Sequence, residues 1–378
     1  MRNGLLPKIL ITARDPSTAS AMQVLAREFI KDNQVELILA SQQPATDILL
    51  TDLKFSRHIK VPSFLNDEEL IEYAKKLSEN IQPDVVIAGI SGPDSGIDEA
   101  ILAVSRRSND SPYAVQCYWG DINEAFGAKA QTYIVIDDYA EKVTRQRIGK
   151  TCITIGSLKH QDYHKLNPVS LRKSFRKKYA SQEELLIGLF TQPMEEGIGY
   201  YESIRLFAEV YSDCEELYQV ILRTHPKQTE DQIQHIKNIF SELELQYIDA
   251  TSESFEETLC GLDLAVSGFS TCGYDLQHLI FASEAPLGIP VYLFYNAALV
   301  NWYQNYSGLS SIPMSDNDLA VVANHPDILK SLINRKTLFE RQQKTWEKVK
   351  EFFPNSNISG KMFTDIVMSN LKRENNLC

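Results

Sequence analysis

Two polar clusters in the second half of the chain, Arg223-Thr-His-Pro226 and Ser267-Gly-Phe-Ser-Thr271, each close an apolar run and hold residue types that grip phosphate. Arginine offers a rigid fork of donors to two phosphate oxygens, and histidine can donate a hydrogen bond while adjusting its proton near neutral pH. Pro226 restricts the backbone directly after His225 and so directs the imidazole-bearing loop. The same four residues also fit a capped strand end with a structural histidine. In the second cluster, Ser267, Ser270 and Thr271 stand beside backbone donors at a helix start, which suits phosphate or ribose without a metal. Asp263 could brace that loop, and a solvent-exposed turn is the alternative. Glu284, just before Ala285-Pro-Leu-Gly-Ile-Pro290, could accept hydrogen bonds from ribose hydroxyls, or could end a helix stopped by proline and glycine. Gln277 and His278 are weaker candidates behind it.

The first half offers acidic and hydroxyl groups instead. Asp15, with Ser17 and Thr18, follows the opening apolar run, where it could take a proton from an acceptor hydroxyl or cap the next helix. Gly89-Ile-Ser-Gly-Pro-Asp-Ser-Gly96 could bring backbone donors, with Ser91, Asp94 and Ser95, close to a ligand. Its glycines do not match the dinucleotide fingerprint, and the chain has no G-x-x-x-x-G-K-S/T phosphate loop. Asp121 and the pair Asp137-Asp138 are further acidic candidates, with helix capping as the plainer reading. They are not read as a metal site. Gly156-Ser-Leu-Lys-His160, with Asp162 and His164, reads as a cleft wall or as a polar linker.

Residues of these types act only where secondary structure holds them. Apolar runs at Leu6–Ile11, Val35–Ala40, Pro83–Ala88, Tyr113–Cys117, Thr132–Ile136 and Thr151–Ile155 read as strands. Helix-spaced apolar residues lie between them at 19–30, 66–78 and 97–106, and Asn66 with Glu69 forms a capping box. The second half starts afresh with strands at 184–190, 219–223, 243–248, 262–267 and 289–294. Helices are expected at 200–211, 274–284, 336–353 and 361–372. Strands alternating with helices predict parallel sheets, in which ligands approach the carboxyl ends of strands.

At 378 residues the chain is long for one core and comfortable for two. A net charge of −12 disfavours a broad nucleic-acid surface. Six scattered cysteines, with no C-x-x-C pair, speak against a zinc knuckle or a disulfide scaffold and for a reducing compartment. No apolar run is long enough to span a membrane and no secretory segment opens the chain, so the expected location is cytoplasmic, with attachment to the inner face of a membrane left open. Lysines and arginines gather between 159 and 178, read as a linker leading into a basic helix whose charged face is solvated or contacts phosphate.

Taken together, this order of elements resembles the two-Rossmann-domain glycosyltransferases of the GT-B class over about residues 7–370. Arg223-Thr-His-Pro226 looks like the histidine-proline loop of some glycosyl- and polyol-phosphate transferases. Ser267–Thr271, Glu284 and Gly288-Ile-Pro290 resemble a donor-binding region, although Gly273-Tyr-Asp-Leu-Gln277 departs from its usual pattern. The resemblance implies two Rossmann-like domains facing a central cleft: an acceptor-side domain at 1–165, a linker at 166–182, a donor domain at 183–335, and helices at 336–378 packing across both. It implies metal-independent transfer of sugar from a nucleotide-diphosphate sugar to an acceptor hydroxyl, with no cofactor. Asp15 would be the base; Arg223, His225, Ser270 and Thr271 would face the donor diphosphate, and Glu284 the ribose. A nucleotide-sugar epimerase using Asp121, Glu141 and His225 is the enzymatic alternative, and a non-catalytic nucleotide- or carbohydrate-binding protein is the other.

Overall fold

The computed structural model describes residues 6–50, 57–62, 66–92, 94–105, 111–180, 184–214, 216–315 and 317–377. The chain divides into two compact units: Met1–Asp162 with Pro354–Cys378, and Tyr163–Phe353. Among the described residues no helix is long and apolar enough to cross a membrane.

Unit 1 alternates β1 (Lys8–Ala13), α1 (Pro16–Asp32), β2 (Glu36–Ser41), α2 (Ala45–Leu50), β3 (His58–Lys60), α3 (Asp67–Ile81), β4 (Val85–Gly89), α4 (Ile97–Ser105), β5 (Ser111–Val115), β6 (Thr132–Val135), α5 (Asp138–Ile148) and β7 (Thr151–Thr154). The strands form one sheet in the order β3-β2-β1-β4-β5-β6-β7, with every neighbouring pair parallel. Strands such as Val85-Val-Ile-Ala-Gly89 are apolar throughout because helices cover both faces of a parallel sheet. Met22, Leu25 and Phe29 of α1 pack on Ile9, Ile11 and Ile87. The chain's last helix, Ser359–Leu377, adds Phe363 and Val367 to this core, and the Phe363 ring meets Tyr113 edge-on at 5.3 Å.

Unit 2 runs α6 (Pro168–Tyr179), β8 (Leu185–Phe190), α7 (Tyr200–Ser212), β9 (Tyr218–Arg223), α8 (Glu230–Glu242), β10 (Tyr247–Asp249), α9 (Phe255–Gly261), β11 (Leu264–Ser267), α10 (Cys272–Ala282), β12 (Ile289–Leu293), α11 (Ala297–Ser307), β13 (Val321–Ala323), α12 (Pro326–Ile333) and α13 (Arg335–Phe352). Its six parallel strands lie in the order β10-β9-β8-β11-β12-β13. Ile187, Leu189, Val220, Leu222, Leu264 and Val266 form the buried middle of the sheet, with Phe207 and Phe240 packed on it.

Two expectations about the second half change. Residues 166–182, read as a linker leading into a basic helix with a charged face solvated or on phosphate, hold that helix as α6: Asn167 Oδ1 accepts from Ser170 N at 2.9 Å, and α6 packs against α9. Its basic residues are not all solvated, since Arg172 and Arg176 close on the buried carboxylate of Asp263 at 2.5 and 2.8 Å. The helices at the end of the chain separate, α13 belonging to unit 2 and Ser359–Leu377 to unit 1. A serine and a glycine tie the last helix down: Ser359 Oγ donates to Ile155 O and Gly360 N donates to Gln161 Oε1, each at 2.6 Å.

The strand order sets where ligands can enter. In each sheet the order reverses between the first strand and the fourth, β1 and β4 in unit 1 and β8 and β11 in unit 2. At such a switch the loops diverge to opposite faces and leave a crevice at the carboxyl edge.

Candidate functional site

In unit 1 the loop after β1 and the loop after β4 flank the switch. Asp15 caps α1, its backbone N donating to Thr18 Oγ1 at 3.2 Å, as the capping reading expected. Its carboxylate also reaches across the switch, Oδ2 accepting from Gly92 N at 2.7 Å. Arg14 Nη2 donates to the carbonyls of Gly92 and Asp94 at 3.1 and 2.6 Å, and Asn123 Nδ2 donates to the same two at 2.9 and 3.0 Å. Beneath them Thr12 Oγ1 and Ser91 Oγ donate to the two oxygens of Asp98 at 2.6 and 2.8 Å.

This edge concentrates buried acid. Asp98 and Glu99 open α4 and are fully buried; burial raises both carboxyl pKa values, and Asp98 raises that of Glu99 further. Arg14 Nη2 stands 3.6 Å from Glu99 Oε2 and offsets part of that cost. Asp121 is half-buried, and its carboxyl is pushed up to about 7 by burial and by the negative charge of Asp15, against the pull of Arg147. A carboxyl tuned there can hold or release a proton near neutral pH.

In unit 2 the corresponding bond across the switch is made by Gln192, two residues past β8, whose Oε1 accepts from Phe269 N at 3.0 Å. Gly268 permits this approach, because a Cβ there would lie 2.9 Å from Gln192 Oε1. Ser267 ends β11 with its hydroxyl buried and without a hydrogen-bond partner among the described residues. Ser270 Oγ accepts from Cys272 N at 3.2 Å, and Thr271 is the N-cap residue of α10. On the far side of β8, His225 Nδ1 accepts from Lys227 N at 3.1 Å, which puts the neutral ring's proton on Nε2 and makes that atom a donor. Gln228 Oε1 accepts from His225 N and from Thr191 Oγ1, leaving the buried Nε2 with no partner among the described residues.

The candidates divide accordingly. Asp15, Ser91 and Asp121 belong to one edge of unit 1, and His225, Ser267, Ser270 and Thr271 to one edge of unit 2. Ser17 is half-buried in the first turn of α1, Ser95 Oγ donates to Asp67 Oδ1 at 2.7 Å, and Asp94 holds its position through its backbone carbonyl. Arg223 starts at the right edge but turns its fork inward: Nη1 donates to the carbonyls of Ala250 and Glu253, both at 2.9 Å, and the guanidinium lies over Phe255. Glu284 is not gathered with Ser267–Thr271, because the eleven residues of α10 carry the chain about 17 Å to the amino edge of the sheet. There it is exposed. Glu141 is paired with Arg145 at 2.8 Å and accepts from Thr154 Oγ1 at 2.8 Å. Asp137 caps α5 through Ala140 N at 2.7 Å and accepts from Trp119 Nε1 at 2.7 Å. Among the described residues no group of three or more His, Cys, Asp or Glu is arranged to hold a metal ion.

Sequence reasoning missed Arg14, Asp98, Glu99, Asn123, Gln192 and Gln228. The available signals were an arginine directly after a buried strand, and adjacent acids at the head of the otherwise apolar segment Ile97-Asp-Glu-Ala-Ile-Leu-Ala-Val104. Nothing local marks Asn123 or Gln192, whose partners lie about thirty and seventy-seven residues away.

No protein-family model and no curated protein sequence matches the chain. Solved structures do share its fold. Staphylococcus aureus MnaA in a co-structure with UDP aligns at TM-score 0.70 and 12% identity, covering 97% of each chain. The UDP-GlcNAc 2-epimerase of Neisseria meningitidis bound to UDP-GlcNAc aligns at 0.67 and 11%, covering 96% of this chain and 100% of the other. A glycosyltransferase from Rickettsia africae ESF-5 aligns at 0.62 and 12%, covering 97% and 99%. With two parallel, doubly wound sheets built in the same order, the chain has the paired Rossmann-like fold of the GT-B class.

Proposed function

We propose that the chain is an enzyme that binds a nucleoside-diphosphate sugar at the carboxyl edge of unit 2 and transfers the sugar to an acceptor hydroxyl. The observation that carries this reading is the set of donors at the ends of β9 and β11, the two strands that flank β8. Buried Ser267 Oγ and Gln228 Nε2 have no hydrogen-bond partner among the described residues, and His225 carries its proton on Nε2. Buried donors without partners cost free energy unless a ligand oxygen meets them. A diphosphate carries several such acceptor oxygens. In the reaction the sugar's anomeric carbon loses its bond to the diphosphate oxygen and gains one to the acceptor oxygen. Asp15 takes the acceptor's proton, while His225 and the Ser270–Thr271 turn stabilise the charge that leaves with the nucleotide.

A second reading, epimerisation of the same donor, is favoured by Asp121. A carboxyl tuned close to neutral suits removal of a proton from a sugar carbon and its return. Two of the solved neighbours were captured with UDP and with UDP-GlcNAc, so these are the first probes. The test is to incubate the purified chain with UDP-GlcNAc, alone and with saccharide acceptors, and follow products by NMR. Acceptor-dependent release of UDP is the expected result, and an isomerised donor formed without acceptor establishes the second reading. Binding with neither outcome removes both. His225→Ala should weaken UDP binding about tenfold, the loss of one charge-assisted hydrogen bond; an unchanged Kd in the folded variant removes His225 from the site.

A further inference from the structure

Gly92 is gripped on both sides of its peptide groups. Its N–H donates to Asp15 Oδ2 at 2.7 Å. Its carbonyl accepts from Arg14 Nη2 at 3.1 Å and from Asn123 Nδ2 at 2.9 Å. The Asn123 side chain has one orientation that works: Oδ1 accepts from Ala125 N at 3.1 Å, so Nδ2 must face the carbonyls of Ser91, Gly92 and Asp94. Arg14 is fixed in turn. Its side chain passes through the space left by Gly96, where a Cβ would lie 2.2 Å from Arg14 Cδ, and it stands beside the buried Glu99.

We propose that Asn123 and Arg14 are positioning residues that act through Gly92 to set the orientation of the Asp15 carboxylate. The inference rests on the reading of Asp15 as the reaction's base, but its physical core does not depend on any turnover. A carboxylate that must receive a proton needs its plane held so that a lone pair faces the substrate. Anchoring by a backbone N–H is only as firm as the peptide that carries it. That peptide is the one joining Ser91 to Gly92, and Asn123 Nδ2 holds its carbonyl, Ser91 O, at 3.3 Å. Arg14 and Asn123 together hold the next peptide through Gly92 O, so the loop loses freedom to turn the N–H away. Placing three carbonyls around one amide nitrogen also explains why an asparagine, rather than a carboxylate, stands at position 123: an aspartate would keep the Ala125 cap and repel all three oxygens.

The experiment uses the full-length chain labelled with 15N at glycine, with the Gly92 cross-peak assigned by its loss in Gly92→Ala. A strong hydrogen bond to a carboxylate places the Gly92 amide proton downfield, and Asp15→Asn should bring it upfield while the other glycine peaks stay. Asn123→Asp should move the same peak upfield, and Asn123→Ala, the milder change, should move it in the same direction. In the turnover assay both Asn123 variants should lower kcat about tenfold while leaving the Kd for UDP within twofold of wild type. A Gly92 peak that stays in place in the Asn123 variants overturns the inference, as does a loss confined to UDP affinity. A wild-type chain that shows the Asp15-dependent Gly92 shift yet turns over no sugar nucleotide would instead overturn the reading of Asp15 as a base.

Discussion

A carboxyl group that folding pushes above its free value makes the fold less stable as the pH rises. Asp121 is such a group, with its pKa raised from 3.8 to about 7 by burial and by Asp15. The native state therefore keeps a proton that the unfolded chain gives up, and between about pH 4 and pH 7 stability falls as pH rises. Asp121→Asn removes the charge and should stabilise the protein at pH 8, on the order of 1–3 kcal/mol after allowance for partial exposure, with little effect at pH 4. Urea unfolding at the two pH values measures this, and an equal effect at both would mean that Asp121 is not held protonated. At this scale the sequence is half legible. Residue types at strand ends can be read, but their direction cannot. Arg223 looks like a phosphate clamp until its partners are known, and those are carbonyls 27 and 30 residues further on. Asp98 and Glu99 look like ordinary first-turn acids, and only the packing of α4 against α3, β4 and β1 reveals the region as buried.

At the scale of elements, long apolar runs declare themselves because a strand buried on both faces has no polar positions. Those in unit 1 and unit 2 fall within a few residues of the observed strands. The three-residue edge strands β3 and β13 carry no such run and were not anticipated. At α6 the charge run marks a basic helix but not the direction of its arginines, which are partly buried against Asp263. Asp263 makes that helix part of the unit. Burial alone would raise its carboxyl pKa, but Arg172 and Arg176 hold it below the usual range, and Oδ2 also accepts from Leu186 N at 2.9 Å. Replacing Asp263 by alanine leaves two partly buried arginines with backbone carbonyls but no counter-charge, and Leu186 N without the side-chain acceptor, and should destabilise unit 2 by about 3–5 kcal/mol at pH 7. Because the folded pKa is depressed, the stabilisation is present above the unfolded pKa and disappears as pH falls through the folded one. Wild type and Asp263→Ala should accordingly converge in acid, and a constant gap down to pH 2 would show that packing, rather than charge, holds α6 in place.

For the whole molecule, the same device recurs once in each unit. A side chain after the first strand accepts a backbone N–H from the loop after the fourth, Asp15 from Gly92 and Gln192 from Phe269. The two differ in what surrounds them: acids in unit 1, uncharged donors in unit 2. In the proposed reading the negative charge of a diphosphate favours the uncharged donors of unit 2 over the acids of unit 1. That division makes a prediction for the intact chain. At one hundred times its Kd, UDP should stabilise the unit that binds it by about 2.7 kcal/mol. Hydrogen exchange followed by mass spectrometry should then show slowed exchange in peptides covering 191–199, 224–229 and 267–275, with those covering 90–92 and 117–123 unchanged. Ser267→Ala should reduce that protection, since it removes a buried hydroxyl poised for a ligand oxygen, whereas Asp15→Asn should leave it intact. Protection confined to the unit 1 loops, or lost in Asp15→Asn but kept in Ser267→Ala, would place the nucleotide on the acidic edge and reverse the roles of the two units.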